Sequence, residues 1–276
     1  MDLGRQLDLD AYCARIGYDG PRAPTLDVLR ALHVLHPAAI PFEAIDVLTG
    51  RGVDLAPAAV EAKLVHGRRG GYCFEQNGLF KRALEGFGFP VEALLARVMW
   101  RAPEDAPPGP RTHMVLKVMV EGEAWLADVG FGGCVMTAPL RLNTDLPQPT
   151  HHEDFRLTPR DGELVLAARL ADGWAPLCAI GLAPQLDVDF VVANWFTATY
   201  PESPFRNHLM VARSGRDARY ALLDNRLTIR SSEGVTQRIL EPREIESALA
   251  DLFLLPVEEH WIPHLKRAAF ADEVGK

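Results

Sequence analysis

Cysteine is scarce in this sequence, and no two cysteines stand close together. The 276 residues contain four cysteines and no Cys-x-x-Cys motif. A small disulfide-stabilised fold, or a zinc site made of four thiolates, would need a tighter pattern. We therefore expect free thiols and a protein of the reducing cytoplasm. The four cysteines are Cys13, Cys73, Cys134 and Cys178.

Long apolar runs and an excess of positive charge are also lacking. No run approaches the roughly 18 apolar residues that suggest a membrane span, and the opening MDLGRQLDLD has no apolar region typical of a signal peptide. Lys and Arg number 29 against 37 Asp and Glu, which gives a formal charge of −8 without any basic block. Anionic membranes and nucleic acids attract clustered positive charge. We therefore expect neither as a partner.

Several motifs of nucleotide, hydrolase and metal sites are absent. The chain has no Gly-x-x-x-x-Gly-Lys-Ser/Thr loop, no Gly-x-Gly-x-x-Gly turn opening a helix, no Gly-x-Ser-x-Gly elbow and no His-Glu-x-x-His pair. His151 and His152 are followed by Glu153 and Asp154, all of them metal-ligand types. Adjacent side chains on a strand or helix diverge and do not readily share one ion. We interpret this segment as a solvated loop and expect no metal.

The distribution of apolar residues predicts helices first and strands afterwards. Hydrophobic residues make up 48% and charged residues 24%, as in ordinary globular proteins. Apolar side chains follow the helical period up to Gly86 and alternate from Pro90 onward. Turns at Asp161-Gly162 and Asp172-Gly173 divide the strands of a meander, which we interpret as a small barrel or a curled sheet. A predicted helix over 187–198 and further strands form a smaller α/β segment.

The segment from Arg68 to Asn77 reads RRGGYCFEQN and is the most informative one. Gly70 and Gly71 free the backbone just before a helix whose first turn contains Cys73. The unpaired N–H groups and the positive dipole end of a helix start favour a thiolate. The pattern is typical of a nucleophilic cysteine. A buried structural cysteine, with glycines that serve helix packing, is the alternative.

A nucleophilic cysteine needs a base, and the base needs an orienting group. A hairpin turn at Glu121-Gly122 places Leu116 opposite Ala127 and gives one continuous apolar face, which supports this register. On the other face His113 and Asp128 become diagonal neighbours at the open end of the hairpin, within reach of each other. The register therefore predicts an imidazole beside a carboxylate. A structural His–Asp pair is the alternative.

Together these segments resemble the arylamine N-acetyltransferase family. The resemblance rests on RGGYCFEQN at 69–77, Thr112-His113 and DVGFG at 128–132, with support from PFE at 41–43 and PESPF at 201–205. It extends across nearly the whole chain, and one departure is Ala44, where the family pattern has Asn. The resemblance implies an α+β fold on a cysteine-protease-like core. Its predicted parts are an N-terminal helical domain (1–88), a central antiparallel β-barrel (89–186) and a C-terminal α/β lid (187–276).

The resemblance also implies a reaction, in which acetyl-CoA donates an acetyl group to a small arylamine or hydrazine by a ping-pong route without a metal. Cys73 is the nucleophile, His113 the base and Asp128 the orienting carboxylate, and the Cys73 N–H belongs to the oxyanion hole. Arg69 and Glu43 resemble a structural ion pair. The acceptor pocket implied by the resemblance consists of Phe42, Phe74, Val98, Thr112, Phe131 and Phe205. Gly130, Gly132 and Gly133 permit close approach of the backbone to the pantetheine arm. Simple turn geometry is the alternative interpretation of these glycines.

Three other functions remain open on the sequence alone. A cysteine hydrolase or transglutaminase-like enzyme would use the same three residues with water or a peptide amine as acceptor. An amide synthase of polyketide assembly would take its acyl group from a carrier protein. A binding protein that retained the fold would have no need of an intact Cys73, His113 and Asp128.

Overall fold

Helices fill the first third of the chain, where apolar side chains recur with the helical period. The structure, a computed structural model, describes residues 6–103 and 105–270. The elements here are α1 (Leu9–Ile16), α2 (Leu26–Ala39), β1 (Phe42–Glu43), α3 (Ile45–Leu48), α4 (Pro57–Glu61, continued by a π-helical turn over Ala62–His66) and α5 (Cys73–Gly86). Helix α1 ends at Gly17 with φ +72°, and Thr25 caps α2, as these residue types favour.

The end of α5 differs from the sequence prediction. The pattern predicts that Gly86 follows the helix in a left-handed conformation, yet Gly86 is its last helical residue. Gly88 has the positive φ, +90°. Gly86 is instead required for packing, because a Cβ there would lie 2.8 Å from a methyl group of Leu9 on α1.

A curled antiparallel sheet follows the helices. Its strands are β2 (Val91–Val98), β3 (Arg111–Val120), β4 (Glu123–Ala127), β5 (Leu140–Arg141), β6 (Gln148–Pro149), β7 (Asp154–Arg160), β8 (Glu163–Leu170) and β9 (Gly173–Gly181). They are ordered β5-β4-β3-β2-β9-β8-β7-β6. The side-chain amide of Gln148 joins the two edge strands, since it binds the backbone N–H and C=O of Arg141 at 2.7 and 3.0 Å. The sheet is therefore a nearly closed barrel.

The β3–β4 hairpin has the register that the sequence predicts. Glu121 and Gly122 have φ values of +52° and +84°, a combination whose twist matches that of the flanking strands. Leu116 lies opposite Ala127, and both face the helices. Because β4 ends at Ala127, Asp128 leaves the ladder at the open end of the hairpin.

The last third of the chain forms a second antiparallel sheet covered by helices, in the place predicted for an α/β lid. Its elements are α6 (Asp187–Thr199), α7 (Pro204–Asn207), β10 (Met210–Ser214), β11 (Ala218–Leu223), β12 (Arg226–Ser231), β13 (Gly234–Ile239), α8 (Pro242–Asp251) and α9 (Ile262–Ala269). The early strand β1 joins this sheet, with Phe42 opposite Ala212 on β10. The predicted domain limits 1–88, 89–186 and 187–276 remain a prediction.

Apolar side chains gather in three cores. The first lies between the helices and the outer face of the barrel, and it includes Leu116. The second fills the barrel and includes Leu126, and the third lies under the lid helices around Trp261. Successive residues of a strand point to opposite faces, so β3 and β4 contribute to the first two cores at once. The open end of the β3–β4 hairpin therefore lies where the helices meet the barrel.

Candidate active site

Cys73 is the first residue of α5 and is buried, with 4% of its surface exposed. Tyr72 before it is extended, with φ −95° and ψ −170°, so the helix begins abruptly. The Glu75 carboxylate accepts the Tyr72 N–H at 3.1 Å, which satisfies the backbone donor just before the helix. The Cys73 thiol lies 3.6 Å from the carbonyl oxygen of Thr112 on β3. Cys73 thus lies in the first turn of a helix, as the sequence predicts, and this turn faces the barrel.

Glycines in front of Cys73 permit close backbone packing. A Cβ on Gly70 would lie 2.2 Å from the Pro41 carbonyl oxygen, and one on Gly71 would lie 2.8 Å from the Glu75 side chain. Gly71 also pairs with β1 through a hydrogen bond of 3.1 Å from the Glu43 N–H to its carbonyl oxygen. No larger residue fits at either position without a shift of the loop.

A buried ion network braces the same loop. Arg69 binds Glu43 at 2.7 Å, Asp46 at 3.1 Å and Glu258 at 3.0 Å, and its guanidinium lies 4.5 Å from the ring centre of Trp261. Burial would lower the pKa of Arg69, but Glu43 and Asp46 outweigh it and raise the pKa. The Arg69–Glu43 pair is therefore a structural contact that ties the loop to the lid.

His113 and Asp128 meet as the hairpin register predicts. Nε2 of His113 lies 2.7 Å from Oδ2 of Asp128, and both residues are buried. Burial would lower the pKa of His113, but the Asp128 carboxylate and then Cys73 act in the opposite direction and raise it to about 10. The imidazole thus lies beside the Asp128 carboxylate, and Cys73 also favours its charged form. Neutral pH favours the charged form of His113.

Both oxygens of the Asp128 carboxylate accept hydrogen bonds. Its Oδ1 accepts the Asn77 side-chain N–H and the Gly130 backbone N–H, both at 2.8 Å, while Oδ2 faces His113. Burial raises the pKa of Asp128, but His113, Asn77 and Gly130 together hold it below its ordinary value. Asp128 therefore stays ionised in a buried position.

Aromatic rings surround the three residues. Phe131 lies edge-on to the His113 ring at 5.2 Å between centres. Phe205 lies 6.0 Å from Phe42 and 5.7 Å from Tyr72. All three phenylalanines are partly exposed, so each can present part of its ring to a ligand.

The other three predicted pocket residues lie in different surroundings. Phe74 is only 2% exposed and packs edge-on to Tyr72 at 5.5 Å within the helical core. Val98 is 45% exposed at the end of β2, opposite Cys178 on β9. Thr112 contacts Cys73 through its backbone carbonyl. Their assignment to an acceptor pocket remains a prediction.

The three glycines after Asp128 have distinct local roles. A Cβ on Gly130 would lie 2.8 Å from the Cα of Cys73 and from Nδ2 of Asn77. Gly132 has φ +83°, which a glycine adopts at little cost. A Cβ on Gly133 would have one neighbour within 4 Å, the Ala221 methyl at 3.6 Å. Packing explains Gly130 and turn geometry explains Gly132, while Gly133 leaves the backbone accessible.

Sequence reasoning gave no role to several buried polar residues of the site. Asn77 and Gln76 belong to the quoted RGGYCFEQN motif, and Gln76 donates to the Pro41 carbonyl at 2.7 Å while it contacts His36 at 2.7 Å. His33 accepts the backbone N–H of Asp128 at 3.1 Å. The signal for Asn77 was its position four residues after Cys73, on the same face of one helix. His33 gave no comparable signal, since its partner lies 95 residues away.

The remaining candidates stay apart from this centre. His151 and His152 contact the carbonyl oxygens of Arg216 and Gly215, which fixes the loop to the lid. Over residues 6–103 and 105–270 the structure shows no group of three or more His, Cys, Asp or Glu side chains that could hold a metal. Across the same residues, no helix combines the length and the apolarity of a membrane span. The prediction about a signal peptide concerns the chain start, where residues 1–5 lie outside the described ones.

Known proteins match this chain over most of its length. A family model described as N-acetyltransferase matches residues 25–262. An arylamine N-acetyltransferase / N-hydroxyarylamine O-acetyltransferase of Salmonella typhimurium is 44% identical to this chain. The matched region covers 79% of this chain and 76% of the Salmonella protein. The solved structure of Mycobacterium marinum arylamine N-acetyltransferase has a TM-score of 0.92 at 40% identity, covering 95% of this chain and 100% of that one.

A second structure of the Mycobacterium marinum enzyme is described as a complex with CoA. It has a TM-score of 0.90 at 42% identity and covers 95% of this chain and 98% of that one. Both sequence and fold therefore agree with the resemblance carried by RGGYCFEQN and DVGFG. The chain belongs to the arylamine N-acetyltransferase family, and it is an acyltransferase.

Proposed function

We propose that this protein transfers the acetyl group of acetyl-CoA to the nitrogen of arylamines, arylhydrazines or related acceptors through an acetylated Cys73. The observation that carries the proposal is His113, held 2.7 Å from the ionised Asp128 while it also interacts with Cys73. A cysteine, an imidazole and a carboxylate in this arrangement are the parts of nucleophilic acyl transfer. The CoA complex of the Mycobacterium marinum relative supports the donor.

In the first half-reaction the Cys73 thiolate attacks the thioester carbonyl carbon of acetyl-CoA. The bond from that carbon to the CoA sulfur breaks, and the departing sulfur takes up the proton that His113 carried. The negative charge that develops on the carbonyl oxygen is stabilised by N–H groups at the start of α5, including that of Cys73. CoA leaves as a free thiol, and neutral His113 remains beside the acetyl-cysteine.

In the second half-reaction the acceptor nitrogen attacks the acetyl carbon on Cys73. His113 accepts the proton that the nitrogen loses, and the carbon–sulfur bond breaks to restore the thiolate beside an imidazolium. The Asp128 carboxylate stabilises the imidazolium at this stage, as it does in the resting protein. The product is an N-acetylated amine.

The aromatic side chains near the site favour an acceptor with an aromatic ring. The Phe205 ring lies 6.0 Å from Phe42 and 5.7 Å from Tyr72, and the Phe131 ring lies 5.2 Å from His113. Burial of a ring-sized apolar surface contributes a few kcal/mol at about 25 cal/mol per Å². Anilines and hydrazides are also unprotonated at neutral pH, so their nitrogen is nucleophilic, whereas alkylamines are mostly protonated. Gly130, Gly132 and Gly133 are the proposed neighbours of the pantetheine arm.

Intact-mass spectrometry after mixing with acetyl-CoA tests the proposed function. We expect one acetyl group on Cys73, and an arylamine should remove it much faster than water does. Rapid discharge to water would instead favour a cysteine hydrolase, and acylation by a carrier-protein thioester but not by acetyl-CoA would favour an amide synthase. No acyl adduct from either donor would contradict the proposal.

A further inference from the structure

The buried Asp128 is held by two residues that belong to different helices. Asn77 on α5 donates to its carboxylate, and His33 on α2 accepts its backbone N–H. We infer that Asn77 and His33 are positioning residues, which keep Asp128 ionised and aimed at His113. The inference rests on the proposed function, in which His113 must carry a proton.

Asn77 fits this role because its side-chain nitrogen faces only hydrogen-bond acceptors and its side-chain oxygen faces a donor. Its nitrogen donates to Oδ1 of Asp128 at 2.8 Å and to the Met114 carbonyl at 2.7 Å, and its oxygen accepts the Val129 N–H at 3.0 Å. A carbonyl only accepts and a backbone N–H only donates, so the amide cannot be reversed. One side chain thus joins the helix of Cys73 to both strands of the hairpin that carries His113 and Asp128.

His33 fits the role because its contact requires a neutral ring. The backbone N–H of Asp128 donates to Nε2 of His33 at 3.1 Å, so Nε2 carries no proton. Burial lowers the pKa of His33 to about 4, with a smaller opposing effect of Asp128. The ring packs edge-on to Phe80 at 5.8 Å, and its Nδ1 has no hydrogen-bond partner among the described residues.

Asp128 therefore lies between two histidines in opposite charge states. His113 on the carboxylate side is a cation, and His33 on the backbone side is neutral. A proton on Nε2 of His33 would abolish the bond from the Asp128 N–H and place a second positive charge next to the carboxylate. That charge would compete with His113 for the same partner. A neutral acceptor fixes the backbone of Asp128 without this competition.

The chemical consequence concerns the proton on His113. Hydrogen bonds to the ionised form of a buried carboxylate keep its pKa low. If the Asn77 donor is removed, the pKa of Asp128 rises and its carboxylate gains freedom to turn away from His113. The pKa of His113 then falls, and less imidazolium is present to protonate the departing CoA sulfur.

The test measures the titration of His113 by NMR in protein labelled with ¹³C at the histidine Cε1, a readout that does not need acetyl-CoA. We expect the wild-type midpoint of His113 near 10, and a midpoint lower by at least about one pH unit in Asn77→Ala, since hydrogen bonds to charged groups are the strong ones. Acetylation of Cys73 in a single turnover should slow roughly 10- to 100-fold. Tyr12→Phe is the control, because it removes a buried hydrogen bond to His36 without contact to Asp128.

A pair of His33 variants gives an independent decision if Asn77→Ala does not fold. The amide oxygen of His33→Gln can accept the Asp128 N–H without charge, whereas His33→Phe cannot. We expect His33→Gln to keep the His113 midpoint and the acetylation rate near wild type, and His33→Phe to lower both. Equal midpoints and rates in the two variants and wild type would overturn the inference. If His113 of the wild-type protein titrates as expected but acetyl-CoA never acetylates Cys73, the proposed function is wrong, whereas the positioning roles of Asn77 and His33 are not contradicted.

Discussion

Gly130 and Cys73 touch across the junction between the hairpin and α5, since a Cβ on Gly130 would lie 2.8 Å from the Cα of Cys73. Gly130 is also the residue whose N–H binds the Asp128 carboxylate at 2.8 Å. The helix with the nucleophile and the loop with the carboxylate are thus in direct backbone contact. Small displacements at this contact change the distance between Cys73 and His113.

Gly130→Ala should therefore reduce activity strongly. The added methyl group has no space between Cys73 and Asn77, so the loop and the helix must move apart. A misplacement of catalytic groups by about 1 Å can lower the rate about 100-fold. Gly78→Ala is the matched control on α5, because a Cβ there meets nothing within 4 Å. It should stabilise the helix by up to about 1 kcal/mol with unchanged kcat/KM. Steady-state assays and thermal melts check both, and similar activities of the two variants would argue against a tight junction.

Cys73→Ala and Cys73→Ser should each lose at least about a thousandfold in acetyl transfer while the fold remains intact. A serine hydroxyl does not supply the thiolate that makes cysteine reactive near neutral pH. Assays with an arylamine and circular dichroism provide the measurements. Cys13→Ala is the control, since Cys13 is a buried residue of α1. Substantial activity in Cys73→Ala would place the nucleophile elsewhere, with Cys134 as the next candidate.

Phe205→Ala should separate acceptor binding from Cys73 acetylation. Its ring contacts Phe42 and Tyr72, so its loss should lower kcat/KM for arylamines roughly 10-fold or more through reduced apolar burial. The single-turnover acetylation of Cys73 should barely change. Phe131→Ala should lower both half-reactions, because the Phe131 ring also supports His113 at 5.2 Å. If Phe205→Ala slowed acetylation as much as transfer to the amine, its ring would serve the donor rather than the acceptor.

Arg69→Met should destabilise the protein by about 3–5 kcal/mol, because it breaks the 2.7 Å ion pair with buried Glu43, whose nearest remaining cation is Lys63 at 3.9 Å. The Glu43 side chain is fully buried and that of Arg69 is 9% exposed. Glu258→Gln, at the 38% exposed end of the same network, should cost no more than about 1 kcal/mol. Urea unfolding distinguishes these values. A stable but inactive Arg69→Met would mean that the guanidinium takes part in chemistry.

Stability should decrease as the pH falls below about 6.5, because two buried histidines resist protonation in the folded protein. Burial lowers the pKa of His33 to about 4 and that of His36 to about 3, whereas the unfolded chain takes up these protons near pH 6.5. Each histidine contributes a slope of up to about 1.4 kcal/mol per pH unit between those limits.

His113 acts in the opposite direction, since its raised pKa of about 10 gives stability that is complete below pH 6.5 and is lost as the pH rises to 10. Urea unfolding from pH 4 to 10 should thus give a maximum near pH 6.5. His36→Gln should reduce the acid slope, and His66→Gln, whose side chain is 54% exposed, should not. An acid slope that is the same in all three proteins would contradict the assignment to His36.

The sequence predicted those parts of the site that depend on local chemistry. The turn at Glu121-Gly122 sets the hairpin register through two positive φ values, and that register brings His113 within reach of Asp128. The glycines before Cys73 likewise indicate a tight loop at a helix start. Such signals are readable because each depends on a few neighbouring residues.

Contacts between distant residues were beyond such reasoning. The partners of Arg69 at Glu258 and of Asp128 at His33 are set by how the helices and the lid pack, and no local pattern encodes them. Short elements such as β1 and α7 were missed for a related reason. Two or four residues carry no period, and they are ordered only by the sheet and the helices around them.

The Arg69 network has a consequence for the order in which the protein matures during synthesis. The loop before Cys73 is translated early, but its partners Glu258 and Trp261 follow 189 and 192 residues later. A nascent chain on the ribosome therefore carries its thiol on a loop that lacks its final support. The loop before Cys73 therefore gains its contacts with Glu258 and Trp261 only after synthesis has passed these two residues.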